Sequence, residues 1–273
     1  MSDFLPWTMD DAARHIAAPG PDDDKYSRGV LGIVTGSDRY PGAAVLGVEA
    51  ALRTGVGMVR YLGPQHATSL VLQRRPEAVP GDGRVQAWLL GSGVDKADLD
   101  LPVLHRALDQ GVPVVLDGGA LPLWERATGP VVITPHAGEL ARLLGVPRES
   151  IDSDAAVRAS AELGVAVLLK GHRSYAVGGV TRLVVSSAPS WLATAGAGDA
   201  LAGILGALVA THEIADLDTL ARLAVTASMI HGLAAERASQ GGPLTILDLA
   251  AQVSPVIAEL LAPTQPTSRL VSR

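Results

Sequence analysis

Apolar runs of strand length recur along the first two thirds of the chain, separated by segments with helical spacing. The runs that predict strands are 30–34, 58–62, 85–90, 112–116, 131–134 and 165–170. Several of them are unbroken rather than alternating, which is typical of strands covered on both faces. The helices predicted between them are 43–53, 101–110, 138–144 and 154–163. The pattern therefore predicts an α/β fold in which helices cover both faces of a mainly parallel sheet.

The pattern changes after residue 170. Segments 174–177 and 181–186 flank Gly178-Gly179-Val180, which predicts a hairpin with a glycine turn. Three helices are then predicted at 199–210, 217–239 and 246–261. Residues 1–28 are expected to form an N-terminal helix and loop, and residues 262–273 a polar tail. We therefore expect the 273 residues to form a single domain.

Composition narrows the class of protein. The chain is 48% hydrophobic and 18% charged, which allows a large core, and only 3% aromatic, so Ala, Val, Leu and Ile must fill that core. A formal net charge of −6 without a cluster of Lys and Arg argues against a nucleic-acid partner. The lack of cysteine excludes thiol nucleophiles and disulfides. Because no secretory signal or membrane-spanning run is recognisable, we expect a cytoplasmic enzyme with no membrane partner.

Polar residues follow most of the predicted parallel strands at the point where each strand ends. These segments are Gly36-Ser37-Asp38-Arg39-Tyr40, Gly91-Ser92-Gly93, Asp117-Gly118-Gly119, Thr134-Pro135-His136 and Lys170-Gly171-His172. Ligands of open parallel sheets bind at the carboxyl ends of the strands. We therefore expect the active site at this edge.

The segment from Ala193 to Gly203 is the most informative motif. A glycine-bearing turn opens directly into an apolar helix, with Asp199 at the junction. Free backbone N–H groups and the helix dipole can hold a phosphate there. A carboxylate beside a phosphate is repelled unless it accepts a proton or holds a metal ion, which indicates phosphoryl-transfer chemistry. The alternative is that Asp199 caps the helix, a contribution of about 1 kcal/mol.

Other polar residues of this edge allow two interpretations each. Lys170 follows a buried strand and could reach a nucleotide phosphate, whereas Arg173 also fits a solvated turn. Glu139 in a first helical turn could cap the helix or act in catalysis. His136 could be a site residue or a loop histidine with an ordinary hydrogen bond. Asp117 could bind Mg²⁺ through water or cap a turn.

Taken together, the motifs resemble the ADP-dependent (S)-NAD(P)H-hydrate dehydratase family of the ribokinase-like superfamily. The Thr-Pro-His-x-Gly-Glu element separates this family from sugar kinases. Pro189-Ser190-Trp191 stands where the family usually has an Asn-Pro pair. The motifs that carry the resemblance are Pro41-Gly42-Ala43-Ala44, Leu90-Gly91-Ser92-Gly93, Val115-Leu116-Asp117, Ile133-Thr134-Pro135-His136-Ala137-Gly138-Glu139, Leu169-Lys170-Gly171 and Ala193-Thr194-Ala195-Gly196-Ala197-Gly198-Asp199.

The resemblance implies a ribokinase-like three-layer α/β/α sandwich and a repair reaction. The S epimer of hydrated NADH or NADPH (NADHX, NADPHX) would return to NADH or NADPH while ADP becomes AMP and phosphate. The resemblance further implies Mg²⁺, ADP or alternatively ATP as the phosphoryl donor, and a homotetramer. No counterpart of the epimerase domain that is fused to many relatives is recognisable, so a separate epimerase is expected as the functional partner.

The resemblance also assigns roles to residues, with Asp199 removing the proton of the hydrate's hydroxyl group. Two alternative functions stay open: a small-molecule kinase of the same superfamily, for a vitamin precursor or sugar, and a noncatalytic nucleotide-binding regulator. No metal ligand is assigned. The residues expected to contact the hydrate are Ala43, Gly91, Gly93, His136 and Asp199. Those expected to hold the adenine nucleotide are Lys170, Gly171, His172, Arg173, Ser174, Gly196, Ala197 and Gly198.

Overall fold

The computed structural model describes residues 3–94, 102–186 and 188–262. The strands are β1 (Leu5–Pro6), β2 (Val30–Val34), β3 (Met58–Tyr61), β4 (Val79–Pro80), β5 (Ala87–Leu90), β6 (Val114–Leu116), β7 (Val131–Ile133), β8 (Ala166–Leu169), β9 (Ser174–Gly178) and β10 (Thr181–Val185). The α-helices are α1 (Met9–Ala13), α2 (Pro41–Thr54), α3 (Gln65–Arg74), α4 (Pro102–Leu108), α5 (Ala137–Leu144), α6 (Ser153–Leu163), α7 (Ala197–Ala210), α8 (Leu217–Ser239) and α9 (Ile246–Leu261).

The strands form one sheet in the order β1-β10-β9-β8-β7-β6-β5-β2-β3-β4. Neighbours from β8 to β4 pair in parallel, and β9 runs antiparallel to both β8 and β10. The prediction of a mainly parallel sheet is therefore confirmed. The carboxyl ends of β2, β5, β6, β7 and β8 lie side by side at one edge, as the polar segments predicted.

Two apolar clusters lie on opposite faces of the sheet. Leu31 and Ile33 of β2 belong to a cluster that contains α2, α7, α8 and α9, whereas Val30 and Val34 of the same strand belong to one that contains α4 and α6. Successive residues of a strand point to opposite faces, so an unbroken apolar strand buries both sides. The expected three-layer α/β/α sandwich is what the structure shows.

The predicted elements are present, with small differences at their ends. The six predicted strands and the hairpin agree with the structure to within two residues, and α8 and α9 begin and end where the sequence predicted. Two parts of the predictions lie outside the described residues: Leu101, the first residue of the predicted helix 101–110, and residues 263–273 of the predicted tail. No helix among those described is both long and apolar enough to span a bilayer.

Three of these elements, β1, α3 and β4, were not predicted from the sequence. The two strands have two residues each, too few for an alternating pattern to be recognised. Helix α3 buries only Ala67 and Val71, so its apolar face is too small to give a helical period. Residues 1–28 were expected to form a helix and a loop, but Leu5–Pro6 within them pairs with β10 as the outermost strand of the sheet.

Close packing of α2 against α7 fixes the position of the predicted catalytic region. A Cβ atom on Gly203 of α7 would lie 2.2 Å from the backbone oxygen of Gly47 in α2. One turn earlier in α7, a Cβ on Gly47 would lie 3.5 Å from the backbone oxygen of Asp199. The two helices therefore touch through their backbones, and only glycine allows this approach.

A buried carboxylate connects α2 to α3. The Glu49 side chain is fully buried and accepts hydrogen bonds from Arg53 at 2.7 Å, Arg74 at 3.2 Å and Arg75 at 2.6 Å. Burial by itself would raise the pKa of this carboxyl group, but the three guanidinium groups outweigh it and lower the pKa to about 2. The ionised form of Glu49 therefore stabilises the fold.

We predict that Glu49→Gln lowers the free energy of unfolding by up to about 3 kcal/mol at pH 7, the equivalent of this pKa shift. Since the folded-state pKa lies below the ordinary value, the difference from the wild type is full above about pH 4.5 and disappears as the pH falls towards 2. Denaturant unfolding at several pH values measures it. The control is Glu77→Gln, which removes the exposed partner of Arg75 and should cost less than about 1 kcal/mol. Equal effects of the two changes would contradict the prediction.

Candidate active site

A buried ion pair lies at the centre of the polar edge of the sheet. Asp117, which follows β6, is 4% exposed, and its Oδ1 accepts from Lys170 Nζ at 2.6 Å and from Thr134 Oγ1 at 2.6 Å. Its Oδ2 accepts from Ser92 Oγ at 2.8 Å. These contacts join the ends of β5, β6, β7 and β8. The Asp117 side chain therefore does not cap a turn, one of the two roles that the sequence left open, and pairs with Lys170 instead.

The pair keeps both of its members charged. Burial opposes the ionised form of each group, but Lys170, Thr134 and Ser92 outweigh this effect and lower the pKa of Asp117. Asp117 and Glu139, whose Oε2 lies 3.9 Å from Lys170 Nζ, outweigh burial and raise the pKa of Lys170. An ammonium group has three N–H donors, so Lys170 can contact a ligand while it keeps the bond to Asp117.

The residues His136 and Glu139 form a reciprocal cap at the start of α5. His136 Nδ1 accepts from the backbone N–H groups of Gly138 at 3.0 Å and Glu139 at 3.2 Å. The Glu139 carboxylate accepts from the backbone N–H of His136 at 2.8 Å. The capping interpretation of Glu139 is thus correct. Because Nδ1 accepts, a neutral His136 carries its proton on Nε2, and half of its side chain faces solvent.

The Asp199 carboxylate differs from every carboxylate described above. It lies in the first turn of α7, but Gly196 is the capping residue and no side chain caps this helix. Among the described residues, nothing donates a hydrogen bond to Asp199 or pairs with it. Burial, assisted by the charge of Asp117 and opposed by that of Lys170, raises its pKa to about 6. The interpretation of Asp199 as a helix cap is therefore wrong.

The start of α7 presents free backbone donors beside Asp199. Gly196 has a φ of 90°, in the left-handed region that favours glycine, and turns the chain into the helix. The N–H groups of Gly198 and Asp199 have no acceptor among the described residues. A Cβ on Gly198 would lie 3.4 Å from Lys170 Nζ, so the ammonium group and these donors are neighbours. Together they form a cradle suited to an anion.

A pocket of about 660 Å³ opens beside this cradle. It lies between the ends of β7 and β8, the segment before α7, and α8. A second cavity, of about 770 Å³ between α1, α8 and α9, has none of the predicted site residues in its wall. The predicted site residues that line the smaller pocket are His136, Lys170, Gly171, His172, Ser174, Ala197 and Gly198.

Three of the predicted residues, Ala43, Gly91 and Gly93, lie on the other side of the ion pair. Ala43, in the first turn of α2, faces Gly93: a Cβ on Gly93 would lie 2.4 Å from the Ala43 methyl group. A Cβ on Gly91, which has a φ of 106°, would lie 2.3 Å from the backbone oxygen of Asp117. The loops after β2, β5 and β6 are therefore packed at backbone distance. The backbone of Gly91 and Gly93 therefore lies at the carboxyl ends of the parallel strands, where the polar segments gather.

Three predicted site residues depart from the expected grouping. His136, expected with Ala43, Gly91 and Gly93, lines the same pocket as the expected nucleotide residues. By strand order it stands between Lys170 and Asp117. Arg173 is exposed and does not line the pocket, whereas its neighbours His172 and Ser174 do. Gly196 does not line the pocket, and its contribution to the site is the turn that leads the chain into α7.

Among the polar residues of the site that were not assigned to it from the sequence are Ser92, Thr134, Ser228 and His231. Ser92 and Thr134 bind Asp117, and Ser228 and His231 of α8 line the pocket. Ser92 and Thr134 stood inside motifs that were noted for their glycine and histidine. Ser228 and His231 lie in a long helix that is distant in sequence from every motif, so only the folded chain shows their position.

The residues present fit Mg²⁺ only in one form. The described part of the chain contains no group of three or more His, Asp or Glu side chains that could hold a metal ion. Both oxygens of Asp117 are engaged, while those of Asp199 are free. In many enzymes Mg²⁺ keeps several waters and binds one or two carboxylates together with substrate phosphates. The site therefore fits Mg²⁺ that is bound to nucleotide phosphates, and not a metal ion caged by protein alone.

A family model described as NAD(P)H-hydrate dehydratase matches residues 31–254, which include every site residue described above. The chain belongs to this family. The bifunctional NAD(P)H-hydrate repair enzyme Nnr of Mycobacterium tuberculosis is 41% identical over 224 residues, which cover 77% of this chain and 47% of that protein. The chain thus spans about half the length of that curated relative. The ADP-dependent (S)-NAD(P)H-hydrate dehydratase of Xanthomonas campestris is 33% identical over 227 residues, 73% of this chain and 78% of that protein.

Solved structures place the dehydratase-family chain in the ribokinase-like fold. A ribokinase-like superfamily protein from Enterococcus faecalis has a TM-score of 0.84 at 21% identity, covering 95% of this chain and 97% of that one. The ADP/ATP-dependent NAD(P)H-hydrate dehydratase of Bacillus subtilis, co-crystallised with ATP/Mg²⁺, has a TM-score of 0.83 at 24% identity, covering 95% and 100%. The ribokinase-like fold and the family expected from the motifs are confirmed.

We predict that Asp199→Asn stabilises this protein against unfolding. At pH 7 the folded state holds an ionised carboxylate whose pKa is raised to about 6, so the fold loses stability as the pH rises from about 3.8 to 6. The uncharged amide removes this penalty, which corresponds to at most about 3 kcal/mol. Thermal and denaturant unfolding at pH 7 and pH 4 measure the gain, which should shrink at pH 4. The opposite change is expected for Asp117→Asn, which leaves Lys170 without its buried partner and should cost about 3–5 kcal/mol.

Proposed function

We propose that this protein dehydrates the S epimer of NADHX or NADPHX, with ADP converted to AMP and phosphate. The observation that carries the proposal is the free, partly buried carboxylate of Asp199 beside the unpaired N–H groups at the start of α7 and the Lys170 ammonium group. A site for phosphate alone has no reason to hold a carboxylate with a raised pKa at this place. The family of the chain supports the choice of substrate.

In the proposed reaction the hydroxyl group of the hydrate attacks the terminal phosphorus of ADP. The oxygen–phosphorus bond forms as the bond to the AMP oxygen breaks, and AMP leaves. Hydroxide is a poor leaving group, whereas the phosphate ester now expels inorganic phosphate as the nicotinamide double bond is restored. The net products are AMP, phosphate and NADH or NADPH. The phosphate taken from ADP thus turns the hydroxyl group into a good leaving group, a task that would otherwise need a strong acid.

Asp199 is proposed to accept the proton of the attacking hydroxyl group. A carboxylate with a pKa of about 6 is mostly ionised at pH 7 and is more basic than an ordinary aspartate. The N–H groups of Gly198 and Asp199 point away from the helix body, where they would stabilise the charge that develops on the transferred phosphoryl group. Base and donors are part of one rigid helix turn, so they keep a fixed geometry.

Lys170 is proposed to bind the nucleotide phosphates, with Gly171, His172 and Ser174 forming the adjacent wall. Its bond to Asp117 keeps the ammonium group charged and aimed at Gly198. Arg173 is proposed to contact the nucleotide from the exposed side. Ala197 and the Gly196 turn complete the nucleotide side of the site.

The hydrate is proposed to bind across Ala43, Gly91 and Gly93, with His136 between the two ligands. The exposed Nε2–H of His136, which lies 3.5 Å from Glu139 Oε1, is proposed to donate instead to a hydroxyl or phosphate of either ligand. Asp199 is the point where the two ligands would meet. In this arrangement the hydroxyl group of the hydrate would lie within reach of the base and the phosphoryl donor.

Two of the relatives support nucleotide use and Mg²⁺. The X. campestris relative is called ADP-dependent, and the B. subtilis structure contains ATP/Mg²⁺. We propose that ADP is the donor, with ATP as the alternative, and that Mg²⁺ arrives with the nucleotide phosphates. Bound there, Mg²⁺ would neutralise phosphate charge during transfer.

Three further expectations belong to this proposal. We propose that the protein is a homo-oligomer, with a tetramer expected, which light scattering tests. It should act on the S epimer alone, so that a separate epimerase is needed to consume the R epimer. Its place of action is proposed to be the cytoplasm.

Purified protein incubated with S-NADHX should restore the absorbance of NADH and release phosphate in equal amounts, with ADP and with ATP tested in parallel. A small-molecule kinase would instead accumulate a phosphorylated product, and a noncatalytic regulator would bind ADP without releasing phosphate. Either of these results would overturn the proposed function. R-NADHX serves as the substrate control.

We predict that Asp199→Asn lowers kcat by about 10²–10⁴ while ADP affinity changes little, because the general base is lost and the phosphate cradle is not. In the wild type, kcat/KM should fall about tenfold per pH unit below pH 6, as the base becomes protonated. The matched control is Asp248→Asn, an aspartate in the first turn of α9 that caps with Thr245. An Asp199→Asn variant that keeps the wild-type pH profile would exclude Asp199 as the base.

A further inference from the structure

His231 is a buried polar residue that the proposed mechanism does not use. It lies in the middle of α8, where its sequence neighbours Met229, Ile230 and Ala234 are buried apolar residues. Its side chain is 5% exposed, and Nε2 has no hydrogen-bond partner among the described residues. A buried polar atom without a partner costs about 1–3 kcal/mol, so a partner from outside the protein is the expected explanation.

The position of His231 indicates where that partner comes from. The imidazole lines the 660 Å³ pocket together with Ser228, one helical turn earlier on the same face of α8. Opposite them, the pocket wall is formed by Lys170 and the start of α7. The unpartnered nitrogen therefore lies in the pocket that the proposed function assigns to ADP.

The charge of the ring decides which part of a nucleotide can bind it. Burial lowers the pKa of His231 to about 4; a hydrogen bond between the ring and the backbone of Ala197 raises this pKa, and the positive charge of Lys170 lowers it. The ring is therefore neutral at pH 7. A neutral imidazole is a poor partner for a charged phosphate, and Lys170 already meets that need.

A hydroxyl group is the ligand that suits Nε2 in either tautomer. If Nε2 carries the proton it donates, and if it does not it accepts, and a hydroxyl group can take the complementary role in both cases. An exocyclic amino group such as that of adenine can only donate. His231 also lies close enough to Lys170 for their charges to interact. Lys170 is the proposed phosphate ligand, and the ribose is the part of a nucleotide that is bonded to the phosphates.

We propose that His231 binds a ribose hydroxyl of the nucleotide and so distinguishes ribonucleotides from deoxyribonucleotides. This inference rests on the proposed function, because it takes the pocket to be the ADP site. His231 acts in binding and touches no reacting atom. The loss of its hydrogen bond therefore weakens ADP binding.

The test uses two variants of His231 that differ in how far the side-chain amide reaches. The amide of glutamine reaches the position of imidazole Nε2, whereas that of asparagine stops near Nδ1. We expect His231→Gln to bind ADP within about threefold of the wild type and His231→Asn to bind it about three- to tenfold more weakly. Isothermal titration calorimetry of ADP measures both, and unfolding curves verify that both variants are folded. His212→Asn, at a half-buried histidine outside the pocket wall, is the control and should not change ADP affinity.

Deoxynucleotides identify the hydroxyl group. In the wild type, 2′-deoxy-ADP or 3′-deoxy-ADP should bind about three- to tenfold more weakly than ADP, and the same analogue should lose nothing further in His231→Asn. Equal deoxy penalties in both proteins, or equal ADP affinity of the Asn and Gln variants, would overturn the inference. A wild-type protein that does not bind ADP at all would instead overturn the proposed function, so the two failures are distinguishable.

Discussion

The buried ion pair between Asp117 and Lys170 is the interaction on which the site depends. It lies where four parallel strands end, and each of those strands contributes a polar group to it. Two charges removed from water are stable only when their remaining donors and acceptors are satisfied, which is the role of Ser92 and Thr134. The pair thus fixes the relative positions of the loops after β5, β6, β7 and β8. It also sets the field at Asp199, since Asp117 raises the pKa of that carboxyl group and Lys170 lowers it.

Stability and chemistry are in conflict at the start of α7. Most carboxylates described here are satisfied: Glu49 by three arginines, Asp117 by Lys170, and Glu139 by the cap of α5. Asp199 has no such partner among the described residues, and its charged form is disfavoured by burial. The fold tolerates this because α7 is an otherwise apolar helix that packs against α2 at backbone distance through Gly203 and Gly47. A residue that would be better as a neutral amide for stability is kept where the proposed reaction needs a base.

Much of the fold and part of the site could be predicted from the chain alone. Unbroken apolar runs predicted strands buried on both faces, and their polar ends predicted the functional edge, because parallel strands must end on the same side. The family motifs identified the helix start at Asp199. Helix α3 and the two-residue strands were missed because they bury too few side chains to produce a period. Asp117 and Glu139 each kept two interpretations, since a carboxylate at an element boundary looks the same whether it caps, binds a metal or pairs with a distant lysine.

The sequence by itself determined the order of elements, the family and the end of the sheet where the polar segments gather, because these follow from local periodicity and from short contiguous motifs. Only the tertiary structure decided which groups meet. The partner of Asp117 lies 53 residues away along the chain, and the unpartnered nitrogen of His231 enters the pocket from a helix with no motif. Whether a buried polar group is satisfied depends on atoms brought together from separate elements, and that information is absent from any single stretch of chain.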